Sequence, residues 1–85
     1  MDDQRIVEEL LDLLAANGVK IKSDALGGRG GGLCQVRGQQ VFYRDTEAGY
    51  ADTAAACAEA VAGLLDVETM YLRPEIRQLI DQYRH

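Results

Sequence analysis

A run of glycines at residues 27–32, interrupted only by Arg29, carries the strongest chemical signal in the sequence. Glycine adopts positive φ angles without strain, so consecutive glycines can turn several backbone N–H groups towards one anion. However, the run lacks the Gly-Lys-Ser/Thr ending of phosphate-binding loops and leads into a strand rather than a helix. A flexible connection is therefore the favoured interpretation, and an anion-binding loop is the alternative. The contacts of that loop would be Gly28, Arg29, Gly30 and Gly31.

Side chains suited to nucleophilic catalysis are scarce. The chain has one serine, Ser23, and one histidine, the terminal His85. Its two cysteines fit neither a disulfide framework nor a zinc site by number and spacing. Cys34 is predicted on a strand and Cys57 on an alanine-rich helix, both as small buried apolar residues. We therefore expect no enzymatic activity, no catalytic residue, no cofactor and no bound metal, and a cysteine-based or cofactor-dependent enzyme is the third and least favoured hypothesis.

Charge is divided between segments of the chain. Residues 18–44 hold five basic residues and one acid, whereas residues 45–70 hold six acids and no base. The net charge of −5 argues against indiscriminate nucleic-acid binding, although a local basic face can still hold an anion. Three acids, Asp45, Glu47 and Asp52, do not match the spacing of a calcium-binding loop and are predicted to be solvated.

Hydrophobic periodicity predicts an α+β domain. Residues 3–16 have the pattern of an amphipathic helix that ends at Asn17-Gly18, and residues 19–22 alternate as a short strand. Strands are expected near 33–37 and 40–44, a helix from Asp52 or Thr53 to about Leu65, and a last helix from Pro74. Residues 66–72 fit a fourth strand or a helical turn. We expect two layers, a small antiparallel sheet of about three strands and about three helices, in the order α-β-β-β-α-(β)-α.

The two strands around residue 38 are predicted to form a hairpin. If Gly38-Gln39 is a type II′ turn, Val36 lies opposite Val41. The core face then holds Val19, Ile21, Cys34, Val36, Val41 and Tyr43. The other face holds Lys20, Lys22, Leu33, Gln35, Arg37, Gln40, Phe42 and Arg44. A slip of one residue would exchange the two faces.

This arrangement suggests a non-enzymatic interaction module. Leu33 and Phe42 would form an exposed apolar spot for a protein partner or a second copy of the chain, and the sheet edge offers another surface. The alternative is an anion or single-stranded nucleic-acid binder. It would use the glycine loop and the cations around Phe42, namely Lys20, Lys22, Arg37 and Arg44.

The whole chain, residues 1–85, is predicted to be a single domain, because this length leaves no room for a second core. It contains no apolar run long enough to span a membrane, and its acidic start does not resemble a secretory signal. Together with the cysteine usage, this favours the cytoplasm.

Three features of the sequence resemble those of known proteins. They are the glycine pairs before Leu33-Cys34, the hairpin ending in Asp45, and the segment Tyr71-Leu72-Arg73-Pro74 with Arg77. Over roughly residues 26–80 the chain resembles a group of short bacterial proteins of unknown function. The resemblance implies a bacterial origin and assigns no catalytic or ligand-binding residue.

Overall fold

The computed structural model describes residues 1–84 and shows an α+β fold in which helices cover one face of a three-stranded sheet. The elements follow the chain in the order α1 (Asp3–Ala16), β1 (Lys20–Asp24), β2 (Gly32–Val36), β3 (Gln39–Asp45), α2 (Tyr50–Leu64), a 3₁₀ turn (Val67–Thr69) and α3 (Pro74–Asp81). The residues between α2 and α3 thus adopt the helical turn and not the fourth strand.

Helix α1 forms where the periodicity predicts it. The Asp2 side chain caps its first turn by accepting a hydrogen bond from the N–H of Arg5 (2.8 Å). The helix ends at Asn17, and Gly18 follows with a φ of +87°. Its inner residues Ile6, Val7, Leu10 and Leu14 are buried, so the amphipathic pattern places this helix on the core.

The sheet is mixed, which corrects the expectation of an antiparallel sheet. Its strand order is β1-β3-β2, with β1 parallel to β3 and β2 antiparallel to β3. Parallel strands need a long crossover, and residues 25–38, which include β2 itself, supply it. The strand nearest β1 in the sequence is therefore not its neighbour in the sheet.

The hairpin turn lies one residue earlier than predicted. Arg37 and Gly38 are its two central residues, with φ angles of +52° and +80°, which defines a type I′ turn. Val36 then pairs with Gln39, Cys34 with Val41, and Leu33 with Phe42. This shift changes the pairing by two residues, so the side chains are grouped as predicted, but the core side is the opposite one. Leu33 and Phe42 point towards the helices, and Cys34, Val36, Val41 and Tyr43 point away from them.

Helices α1 and α2 pack side by side, with α1 on β1 and α2 on β2 and β3. The core combines the inner stripes of the helices with Val19 and Phe42, and Ile21 and Leu33 pack against it. Helix α2 begins at Tyr50 after the N-cap Gly49, earlier than predicted, and its inner stripe includes Ala54, Cys57, Ala58 and Val61. No helix within residues 1–84 combines the length and the apolar character needed to cross a membrane.

The last helix has Pro74 in its first turn, as predicted, and buries Ile76 and Ile80. Arg77 does not pair with Glu75 or Asp81. Its guanidinium donates to the carbonyl oxygens of Val67 (3.2 Å) and Met70 (2.8 Å), so α3 holds the 3₁₀ turn in place.

The hairpin turn yields a stability prediction. Arg37 holds a positive φ that asparagine tolerates better than arginine, so Arg37→Asn should raise the free energy of unfolding by about 0.5–1 kcal/mol. Urea unfolding at two protein concentrations measures this and separates folding from self-association. The control Gln35→Asn, on the adjacent strand, should give no gain because asparagine is disfavoured in strands. Equal effects of the two changes would contradict the turn assignment.

Candidate interaction site

The glycine loop, residues 25–31, is held by the carboxylate of Asp45, the last residue of β3. Its Oδ1 accepts hydrogen bonds from the N–H groups of Leu26 (3.0 Å) and Glu47 (2.9 Å), and its Oδ2 accepts one from Gly30 (3.2 Å). Asp45 is only 1% exposed. The predicted solvated acid is therefore a buried anchor, and the loop is a built structure rather than a flexible connection.

The environment of Asp45 favours its ionised form. Burial by itself raises the pKa of a carboxyl group, but hydrogen bonds from the backbone N–H groups of Leu26, Glu47, Gly30 and Gly28 outweigh that effect and lower the pKa of Asp45. A second acid supports the first, because Oε1 of Glu47 accepts a hydrogen bond from the N–H of Gly27 (2.9 Å). Two carboxylates thus face the backbone of the loop.

The loop needs glycine for two physical reasons. Gly27, Gly28, Gly30 and Gly31 all have positive φ angles between +78° and +105°. At Gly31 a Cβ atom would also lie 1.9 Å from the carbonyl oxygen of Tyr43, where no atom can fit. The chain passes the end of β3 so closely that a side chain at this position would collide with the strand.

These contacts bear directly on the predicted anion site. The N–H groups of Leu26, Gly27 and Gly30 already donate to the carboxylates of Asp45 and Glu47. The nest therefore holds an internal anion, and an external phosphate would have to displace it. Arg29 is exposed on the outside of the loop.

The sheet has a second face that no helix within residues 1–84 covers, and we call it the open face. Strand alternation and pairing place on it Lys20, Lys22 and Asp24 of β1, Gln39, Val41 and Tyr43 of β3, and Cys34 and Val36 of β2. Val36 is 42% exposed and Tyr43 is half-buried, whereas Val41, on the middle strand, is enclosed by its neighbours. The open face is thus an apolar centre with two lysines and one aspartate along one side.

The predicted apolar spot is not at the surface. Phe42 is fully buried and Leu33 packs against the core, because the helices cover the side of the hairpin that carries them. Arg37 is in the hairpin turn, and Arg44 is on the helix side, with its guanidinium carbon 5.9 Å from the centre of the Tyr50 ring. Of the predicted basic residues, the structure brings together on the open face only Lys20 and Lys22.

The cysteines occupy different environments. Cys57 is buried in α2, as predicted, and burial raises its pKa to about 12. A thiol with this pKa does not supply a thiolate nucleophile near neutral pH. Cys34 is exposed on the open face, which corrects the prediction that it is buried. The terminal His85 lies outside the described residues.

Sequence reasoning missed Asp45 as the central residue of this region. Two features of the sequence indicate this role. Asp45 ends a strand, and the glycine run elsewhere in the chain has many backbone N–H donors that need an acceptor. It also stands two residues before Glu47, the spacing at which an aspartate accepts from the backbone in an Asx turn. What the sequence does not contain is the strand order that brings the loop to Asp45.

Comparisons with protein-family models, with curated proteins and with solved structures gave no match for this chain. The site must therefore be interpreted from its own geometry.

Asp45→Asn tests the anchor. The change removes the negative charge and replaces one acceptor oxygen with an NH2 group, which faces a backbone N–H and cannot accept its hydrogen bond. The variant should therefore have a lower free energy of unfolding than wild type at pH 7. Because the folded-state pKa is lowered, the ionised carboxyl stabilises the fold above its ordinary pKa of about 3.9, and this contribution disappears as the pH falls through the folded-state value. Unfolding curves from pH 7 to pH 2 should therefore converge for the two proteins. Parallel curves would contradict the anchor role.

A glycine series tests the close approach of the loop to β3. Gly31→Ala should cost about 3 kcal/mol or more, because it combines strain with a backbone collision. Gly27→Ala, with open space but a positive φ, should cost about 1–2 kcal/mol. Gly32→Ala is the matched control: it has neither feature and should change stability by less than about 0.5 kcal/mol. Chemical denaturation measures all three, and equal costs would show that the loop does not pass β3 as described.

Proposed function

We propose that this protein is a non-enzymatic interaction module that binds an acidic segment of a protein partner on its open face. The observation that carries the proposal is the sheet itself: helices cover one face, and the other presents apolar side chains beside Lys20 and Lys22. An uncovered apolar surface with a charged border is typical of protein interaction sites.

Charge supports an acidic partner. The basic segment, residues 18–44, contains all of β1 and β2 and most of β3, whereas the acids of residues 1–17 and 45–70 belong mainly to the helical side. The open face thus carries Lys20 and Lys22 with Asp24 further along β1, while most acids lie on the helical side. Complementary potentials guide a partner to the correct face and disfavour the wrong one.

The same charges argue against pairing two open faces in a homodimer. A two-fold axis that runs across the strands would bring Lys20 and Lys22 of one copy opposite those of the other, and like charges in contact are unfavourable. If two copies associate through the sheet, pairing of edge strands is more favourable than contact between their open faces.

Single-stranded nucleic acid is the second candidate, favoured by one observation. Tyr43 lies on the open face on the middle strand, opposite Lys22 of β1, in a position for a base to stack beside positive charge. Against it, the loop donors that would have held phosphate are engaged by Asp45 and Glu47. This candidate therefore depends on the open face alone.

The proposal predicts binding of an acidic β-forming probe. A peptide of alternating glutamate and valine should shift the amide NMR signals of Cys34, Val36 and Tyr43, and the double variant Lys20→Glu/Lys22→Glu should weaken its affinity by at least about tenfold. The matched control Arg29→Glu reverses one exposed cation in the glycine loop and should leave the affinity within about threefold.

Two further probes separate the candidates. A lysine–valine peptide should not bind, and a mixed single-stranded oligonucleotide should bind more weakly than the acidic peptide at physiological salt. Tighter binding of the oligonucleotide, lost in the double lysine variant, would replace the protein partner with nucleic acid. If Arg29→Glu weakens the affinity for the acidic peptide as much as the lysine changes do, the open face is excluded as the specific binding site.

A further inference from the structure

A pocket of about 340 Å³ lies where β1 and β3 end and α2 begins. Strands β1 and β3 run parallel, so their carboxyl ends meet here, and parallel sheets bind ligands outside the carboxyl ends of their strands. We call this site the Arg44 pocket. It is lined by Ser23 of β1, Arg44 and Asp45 of β3, Thr46, Ala48 and Gly49 of the following loop, and Tyr50 of α2.

The register of the two strands places a cation beside a hydroxyl group. Ser23 pairs with Arg44, and strand alternation puts both side chains on the side of Ile21 and Phe42, which face the helices. The open face is on the other side of the sheet. The Arg44 pocket is therefore separate from the surface proposed to bind an acidic peptide.

Arg44 is half-buried and has no acidic partner within residues 1–84. The arginines that form ion pairs in this part of the chain are Arg5, Arg73 and Arg84. The guanidinium carbon of Arg44 lies 5.9 Å from the centre of the Tyr50 ring, and a guanidinium over a ring keeps the N–H donors at its edge available. Since partial burial removes some of its hydration, this cation gains stability from an anion in the pocket.

The acids nearest to the pocket in the sequence do not form an ion pair with Arg44. Asp45 and Glu47 accept hydrogen bonds from the N–H groups of the glycine loop. Asp52 is exposed and lies beside Gly30, and neither Glu47 nor Asp52 lines the pocket. The positive charge of Arg44 therefore remains available to an external anion.

The start of α2 adds backbone donors to the same pocket. The N-cap Gly49 supplies no side-chain oxygen, so the N–H groups of the first turn have no side-chain cap. Lack of space is not the reason, because a Cβ atom at Gly49 would meet no atom within 4 Å. An anion beside Arg44 would also complement the partial positive charge of the helix start.

We propose that the Arg44 pocket binds the phosphate group of a small phosphomonoester. The guanidinium of Arg44 offers paired N–H donors that match two phosphate oxygens, and the helix start offers further N–H groups. Ser23 and Thr46 add hydroxyl-bearing side chains to the lining. Donors on a strand, a loop and a helix surround a tetrahedral anion better than a planar carboxylate.

The size of the pocket indicates a ligand larger than phosphate itself. Small-molecule sites have volumes of about 300–1,000 Å³, and 340 Å³ lies at the low end of this range. Beside the phosphate, Ala48 and the ring of Tyr50 supply apolar surface for an organic group. A phosphomonoester with a small apolar group fits this combination.

Amide NMR titration of the full chain tests the proposal, with inorganic phosphate and phenyl phosphate as probes at a constant ionic strength set by sodium chloride. Both probes should shift the signals of Gly49, Tyr50 and Ala51 until saturation and leave those of Cys34 and Val36 unchanged. Phenyl phosphate should bind at least about threefold more tightly than inorganic phosphate, because its ring can pack on Tyr50.

Two variants separate a ligand site from a structural role. Arg44→Gln should raise the dissociation constant of phenyl phosphate at least about tenfold, and the control Arg29→Gln should leave it within about twofold. Gly49→Asp supplies an internal carboxylate that caps α2, so it should raise the midpoint of urea unfolding and also weaken phenyl phosphate binding at least about tenfold. Its control Gly63→Asp adds the same charge in the last turn of α2 and should leave the affinity within about twofold.

Each outcome decides the assignment. Shifts that sodium chloride alone reproduces, or the absence of saturable shifts at the start of α2, overturn the proposal, and so does full affinity in Arg44→Gln or Gly49→Asp. Phenyl phosphate that binds no more tightly than inorganic phosphate excludes a phosphomonoester as the ligand. Because Lys20 and Lys22 lie on the other face of the sheet, Arg44→Gln should bind the acidic peptide like wild type, and each of the two proposals can fail alone.

Discussion

The carboxylate of Asp45 is the contact on which the arrangement of the sheet depends. Strands β1 and β2 lie on opposite sides of β3, so the chain that joins them must cross the end of β3. A backbone that crosses a strand end cannot continue the ladder, and its N–H groups need another acceptor. Asp45 supplies that acceptor at the crossing point, and Glu47 adds a second carboxylate beside it.

These hydrogen bonds give the glycine loop a role in the fold that is separate from ligand binding. The glycine loop resembles an anion nest in composition, but its donors are used internally, so we assign the proposed binding to surfaces that the fold leaves uncovered. Those surfaces are the open face and the Arg44 pocket. They lie on opposite sides of the sheet and differ in character: the first is an apolar centre bordered by lysines and one aspartate, and the second holds an arginine among hydroxyl-bearing side chains.

Features encoded by neighbouring residues were predictable, and features that depend on distant residues were not. Helix α1 and the Pro74 start of α3 follow from local periodicity and capping. The hairpin was also recognised, but glycine at position 38 suggested a type II′ turn, whereas Arg37 accepts a positive φ and the turn is type I′. This difference moves the pairing by two residues and leaves the same side chains together on each side of the hairpin. The error lay in the choice of core side, which depends on the pairing of Phe42 with Ile21 of β1 and on where the helices pack. The parallel pairing of β1 with β3 and the anchor role of Asp45 require contacts across about twenty residues, which no local pattern contains.

The strand order also has a consequence for the sequence of events in folding. The β2–β3 hairpin joins residues close in the chain, whereas pairing of β1 with β3 also closes a loop of about twenty residues and costs more chain entropy. We therefore expect β1 to dock after the hairpin has formed. Until β1 docks, the outer edge of β3 is open to pairing with other chains in a crowded solution.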